Sequence, residues 1–197
     1  LFPLLESLAI NSFLTEYLFY HDKYEKKELL KVKYFLENQN DNGEKYAFHL
    51  LIMLCYQSIE KLNSKKIIGA LENHKNIKRI LLDAPLREKK IRKSIKKFGE
   101  IAKTSKITKQ QYEENPYPRW HHYVQKPSLN SFNDFLLTQR LNPTKFVNFN
   151  DSEKNILIAG CGTGLNIFKV ASGFPDAKIT AVDLSLTSLG YAKRKIQ

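Results

Sequence analysis

The run Ile156-Leu157-Ile158-Ala159-Gly160-Cys161-Gly162-Thr163-Gly164 carries the strongest structural signal in this chain. Four uninterrupted apolar residues lead into three glycines at alternate positions. Such a short apolar run reads as a parallel strand covered on both faces. The glycines permit a tight turn and let backbone approach a ligand where a Cβ would obstruct it. Leu165 to Ser172 then reads as a helix, with Ile167, Phe168, Val170 and Ala171 available for burial and Gly173 and Pro175 as its stop. Lys178 to Val182 reads as a second strand ending at Asp183. Leu186 to Lys195 reads as a further helix, with Ser185 as its N-cap.

The order strand, glycine turn, helix, strand, acid, helix is the opening unit of a doubly wound sheet, whose ligands sit at the carboxyl ends of the strands. The helix start offers N–H groups and a positive dipole end to an anionic group. Asp183, 19 residues after Gly164, can accept both hydroxyls of a ribose. The dinucleotide pattern G-x-G-x-x-G (or A) fails, because Leu165 fills its sixth position, and no G-x-x-x-x-G-K-[ST] loop occurs. The spacing suits a ligand without a pyrophosphate.

These residues resemble class I S-adenosylmethionine-dependent methyltransferases. Ile156 to Gly164 looks like the first motif of that family, and Ala181-Val182-Asp183-Leu184-Ser185 looks like its second. The resemblance implies that Gly160, Cys161, Gly162, Thr163 and Gly164 line the methionine and ribose portion of S-adenosylmethionine. It further implies that Asp183 holds the ribose hydroxyls and that Leu184 touches the adenine. Ile158 stands where many members carry an acid. Tyr112-Glu113-Glu114-Asn115-Pro116-Tyr117-Pro118-Arg119-Trp120 is similar to a pre-motif of methyltransferases fused to tetratricopeptide-like helices.

The chain is thus expected to be α/β: an α-helical accessory domain over 1–110, a Pro- and aromatic-rich junction over 111–150, and the first βαβα part of a Rossmann-like sheet over 151–197. Pro116 and Pro118 stop any helix and hold Glu114 to Tyr117 extended. The rigid aromatic junction suggests a lid, with Arg119 pairing with the cofactor carboxylate and Tyr117 or Trp120 covering it. His121 and His122 are adjacent, so their side chains should diverge, and no metal site is read there.

In the first region, Leu4, Leu5, Leu8, Phe13 and Leu14 suggest one helical face, and Leu29, Leu30, Val32, Tyr34 and Phe35 a second. A turn at Asn38 to Gly43 follows, then a helix over about Lys45 to Leu62 and a shorter one near Lys65 to Glu72. Ala47 to Tyr56 is too short to cross a bilayer and reads as a helix inside a core.

The formal charge is +12, and residues 75–109 alone hold 13 Lys/Arg against 3 Asp/Glu. Ile91, Ile95, Phe98 and Ala102 among these lysines suggest a basic amphipathic helix with one buried stripe, away from the glycine motif. A nucleic-acid or anionic-membrane surface is the sharper reading. With 26 Lys against 6 Arg, a solvated face is favoured over phosphate recognition. The 42% hydrophobic content excludes a mainly disordered chain, and two cysteines exclude a disulfide framework and place the protein in the cytoplasm.

Only 47 residues follow Asn150, about a third of a complete sheet of this kind, and the chain opens at Leu1. The sequence therefore predicts the N-terminal part of a methyltransferase, inactive by itself. Its acceptor (small molecule, protein or RNA), its catalytic base and its oligomeric state are left open. The alternatives are a nucleotide-dependent enzyme such as an NAD(P) oxidoreductase and a non-catalytic helical scaffold.

Overall fold

The centre of the helical region is a short helix that is apolar almost all round. In the computed structural model, which describes residues 1–39, 43–62, 66–99, 105–123, 134, 136–137 and 154–197, this is α3 (Ala47–Leu54). Leu50, Leu51, Met53 and Leu54 are buried, as expected for a helix inside a core. Helices α1 (Phe2–Leu14) and α2 (Lys23–Glu37) pack on it. The N-terminus of α2 is fixed by a reciprocal pair: Asp22 accepts from Glu25 N at 2.8 Å, and Glu25 accepts from Asp22 N at 3.2 Å.

The buried faces match the expected ones in part: Phe13 is buried, and Leu5, Leu14, Leu29 and Val32 pack against the core. On α1 the buried residues are Ala9, Ser12 and Phe13, while Leu4 and Leu8 are exposed; on α2 only Leu36 is buried, while Leu30 and Tyr34 face outward. Apolar residues crowd both helices, so spacing alone leaves the contact stripe ambiguous. The helix expected from Lys45 to Leu62 is also divided. A 3₁₀ turn (Glu44–Tyr46) precedes α3, and another (Ile59–Lys61), capped by Ser58, follows it.

A 3₁₀ stretch (Lys66–Leu71) leads to α4 (Lys75–Ile77), which continues through a π turn (Lys78–Asp83) into α5 (Ala84–Arg92). The basic helix stops there, and Ile95 to Gly99 are irregular. Continuing it would stack Lys93 and Lys97 over Lys89 at four-residue spacing, where like charges repel. Phe98 is consequently 72% exposed, not part of a buried stripe, and Ala102 lies outside the described residues. After α6 (Ser105–Glu114), Asn115 begins the irregular segment that the prolines require.

The second region is β1 (Asn155–Ala159), α7 (Leu165–Gly173), β2 (Lys178–Val182) and α8 (Leu186–Ile196). The strands pair in parallel, with Leu157 opposite Thr180 and Ala159 opposite Val182. This is a mainly helical α/β chain with a two-stranded parallel sheet. One face of the sheet, Ile156, Ile158, Ile179 and Ala181, is half-buried, and α7 packs against β2. The other face is open, with Leu157 65% exposed, so β1 is not covered on both sides. An apolar run records which residues can be buried, not how many layers reach them.

Helices α5 and α8 join the two regions. Gly190 makes their contact close: a Cβ there would stand 2.7 Å from Arg92 Cγ. Arg92 spans the seam, donating to Thr187 Oγ1 at 3.0 Å and to Glu60 at 2.6 Å. No helix among the described residues is long and apolar enough to cross a membrane.

Candidate nucleotide-binding cleft

The glycine turn lies at the carboxyl end of β1, and Asp183 lies at the carboxyl end of the adjacent β2. Gly160, Gly162 and Gly164 all have positive φ. Gly164 is constrained most: with φ at 88°, an added Cβ would also fall 2.8 Å from Ala192 Cβ. Ser185 caps α8 as expected, accepting from Ser188 N at 3.0 Å.

The turn is bonded largely to itself and to β2. Gly160 N and Cys161 N donate to Val182 O at 2.9 and 3.1 Å, and Gly164 N donates to Cys161 O at 3.0 Å. Gly162 N donates to Asp183 Oδ2, and Ser185 N to Asp183 Oδ1, both at 2.8 Å. Each carboxylate oxygen keeps a further acceptor site after these bonds. Four amides of the turn, those of Gly160, Cys161, Gly162 and Gly164, are thus used internally.

An open cleft of about 2180 Å³ lies over this corner. Gly160 to Thr163, Asp183 and Leu184 line it, together with Tyr112, Tyr117 and Pro118 from the junction. Gly164 sits behind the turn, buried against Ala192. Asp183 is the only carboxylate among the described residues that line the cleft. Burial, reinforced by Asp183, pushes the Cys161 thiol up to about 11, so it stays protonated at neutral pH.

Arg119 is placed elsewhere. Its side chain is 7% exposed and pairs through Nε with Glu16, while Nη1 stands 3.7 Å from Glu88 Oε2. Its guanidinium also lies 4.0 Å from the centre of the Phe13 ring. Glu16 follows the end of α1 in a left-handed conformation, φ 57°, and in that conformation its carboxylate reaches Arg119. Glu88 is shared with Arg194, whose Nε donates to it at 2.7 Å. Burial pushes both glutamates above the ordinary carboxylate range, against the pull of Arg119. The expectation that Arg119 pairs with a cofactor carboxylate is corrected: two buried carboxylates from the helical region already hold it.

Trp120 is not a cover either. Its indole N–H donates to Thr163 O at 3.0 Å, and its ring packs on Phe168 and Tyr191. Thr163 Oγ1 donates to Pro118 O at 2.5 Å, and Trp120 N donates to Tyr191 Oη at 2.9 Å. Of the proposed lid residues, only Tyr117 faces the cleft. The junction acts as a strap that fastens the glycine turn to the helical region.

Glu113, to which the motif alone assigns no role, closes a helix end. It accepts from Leu186 N at 2.7 Å, Thr187 N at 3.1 Å and Thr187 Oγ1 at 2.6 Å, closing the N-terminus of α8. Its partners are more than seventy residues away, and no local pattern announces them. His121 and His122 do not diverge: Nδ1 of one lies 2.9 Å from Nε2 of the other, beside a small hollow lined by Tyr123 and Phe168. Burial, then the neighbouring His122 and Lys195, holds His121 below its usual pKa. No group of three or more His, Cys, Asp or Glu in a metal-binding arrangement occurs among the described residues.

Comparison with protein-family models, curated proteins and solved structures finds no match for this chain.

Proposed function

We propose that the cleft binds S-adenosylmethionine and that the protein is, or contributes the cofactor-binding part of, an S-adenosylmethionine-dependent methyltransferase of Rossmann-like type. The observation carrying this reading is the pairing of a positive-φ glycine turn with a carboxylate at the ends of two adjacent parallel strands, both facing an open cleft. A Cβ added at Gly160 or Gly162 would meet nothing within 4 Å, so a ligand can reach the backbone there. The spare acceptor sites of Asp183 suit two ribose hydroxyls.

Bound there, the cofactor would supply an electrophilic methyl group on a sulfonium. The chain's own part is orientation: Asp183, held rigid by Gly162 and Ser185, fixes the ribose. Leu184, partly exposed in the cleft, offers the base an apolar contact. In-line displacement then depends on positioning more than on acid–base chemistry.

Calorimetry of the purified chain with S-adenosylhomocysteine and, separately, with NAD tests the reading. Binding of the first in preference to the second is expected, with Asp183→Ala weakening it at least about tenfold, the loss of roughly one charge-assisted hydrogen bond. No binding of S-adenosylhomocysteine, or equal binding to the variant, overturns it.

A further inference from the structure

The lysine-rich segment after α5 is not remote from the glycine turn. Lys96 and Lys97 from this segment, Lys106 and Lys109 from α6, and Lys193 from α8 all line the cleft that holds Asp183. Five ammonium groups thus ring a cleft with a single carboxylate, and that carboxylate is committed to Gly162 and Ser185. Lys97, Lys106 and Lys109 form no ion pair with a carboxylate among the described residues. Where the fold needs a cation it pairs it, as Arg92, Arg119 and Arg194 are paired with Glu60, Glu16 and Glu88. Lys193 donates to Ser94 Oγ at 3.4 Å, and none of the five rim lysines pairs with a carboxylate among the described residues.

Aromatic rings stand among them. Phe98 is 72% exposed, with Lys96 Nζ 4.9 Å from its ring centre, and Tyr117 is 58% exposed in the same cleft as Tyr112. Unpaired cations interleaved with exposed rings track a sugar–phosphate backbone and stack bases. An acidic peptide would use the charges but leave the rings without partners. A duplex would hide the base edges that a methyl donor must reach.

We propose that this rim binds a single-stranded nucleic acid, its phosphates on the lysines and a base over Phe98 or Tyr117, and that this strand is the methyl acceptor. The acceptor role rests on the cofactor reading above. The charge that looked like a solvated helix face is, by its position, part of the substrate site.

Fluorescence anisotropy with a labelled 12-nucleotide oligo-U and an oligo-dT of equal length tests this on the full chain. If all five lysines engage, affinity falls about 100-fold between 50 and 200 mM salt, from a slope of about −0.7 per phosphate. Lys96→Glu, Lys97→Glu and Lys106→Glu together should weaken binding at least about tenfold and flatten that slope. Phe98→Ala should weaken it about fivefold or more, the lower end of one stacked base. A control with Lys23, Lys26 and Lys27 of α2 changed to Glu should bind as before. All these residues are exposed, and far-ultraviolet circular dichroism of each variant should match that of the unaltered chain.

Binding of either oligonucleotide supports the proposal, whichever is preferred. Absence of binding at 50 mM salt, displacement by polyglutamate as effective as by oligonucleotide, or equal loss in the α2 control overturns it. If S-adenosylhomocysteine still binds in those cases, only this inference falls. Oligonucleotide binding with no S-adenosylhomocysteine binding sinks the cofactor reading, and with it the role of the strand as acceptor.

Discussion

Replacing Arg119 by methionine separates two accounts of the junction most sharply. As a cofactor ligand, Arg119 would matter for affinity and little for stability. As a hub, its loss leaves Glu16, 6% exposed, with no other hydrogen-bonding cation among the described residues, while Glu88, 2% exposed, keeps Arg194. Breaking a buried pair from one side costs about 3–5 kcal/mol. The loss should depend on pH, with a definite sign. The folded pKa values of Glu16 and Glu88 are raised, so their favourable contribution is complete below the unfolded value of 4.5 and fades as pH rises through the folded values. Arg119 restrains both values, alongside Arg194 at Glu88. In Arg119→Met they rise further, and the decline extends to higher pH. Urea unfolding followed by circular dichroism should therefore show a deficit of about 3–5 kcal/mol near pH 8 and a smaller one near pH 5, with an unchanged denaturant slope. Adding Glu16→Gln to the variant should restore part of the deficit near pH 8 and little near pH 5. A deficit below about 1 kcal/mol, or one equal at both pH values, would refute the hub, because a surface pair gives no more than that.

Glu113→Ala should cost about 2 kcal/mol by opening the N-terminus of α8, with Glu113→Gln costing less; thermal unfolding of the three proteins checks the order. Gly164→Ala combines a left-handed φ with a 2.8 Å clash on Ala192, and should destabilise by about 2–4 kcal/mol in the same assay. Both cysteines have thiols pushed to about 11 by burial, so iodoacetamide near pH 8 should modify them about 100-fold more slowly than free cysteine. Rapid alkylation of either in the folded protein would contradict that.

The glycine turn, its two strands and the cap at Ser185 were readable because their causes are local: alternating glycines, an apolar run, a serine before a helix. The Arg119 contact was not, because Glu16 lies 103 positions away and its reach depends on an unusual backbone conformation just after α1. Glu113 was invisible for the same reason, since a glutamate at a helix end has many ordinary uses. Charge counting located the lysines in the sequence but treated distance along the chain as distance in space. The packing of α5 and α6 against α8 cancels that separation. Periodicity alone also could not choose a face for α1 and α2, where apolar side chains surround much of each helix.

Trp120 is the only tryptophan in the chain, and its indole is bonded to the glycine turn. Its emission, excited beyond the absorption of the ten tyrosines, is therefore a local signal from the seam, while far-ultraviolet ellipticity is dominated by the helices. Recorded on one sample, the two act as independent clocks. Superimposed melting curves would mean that the helical region and the strand–turn–helix region unfold as one cooperative unit. An earlier shift in emission would mean that the strap lets go first, and that the cleft can be dismantled while the helical core stands.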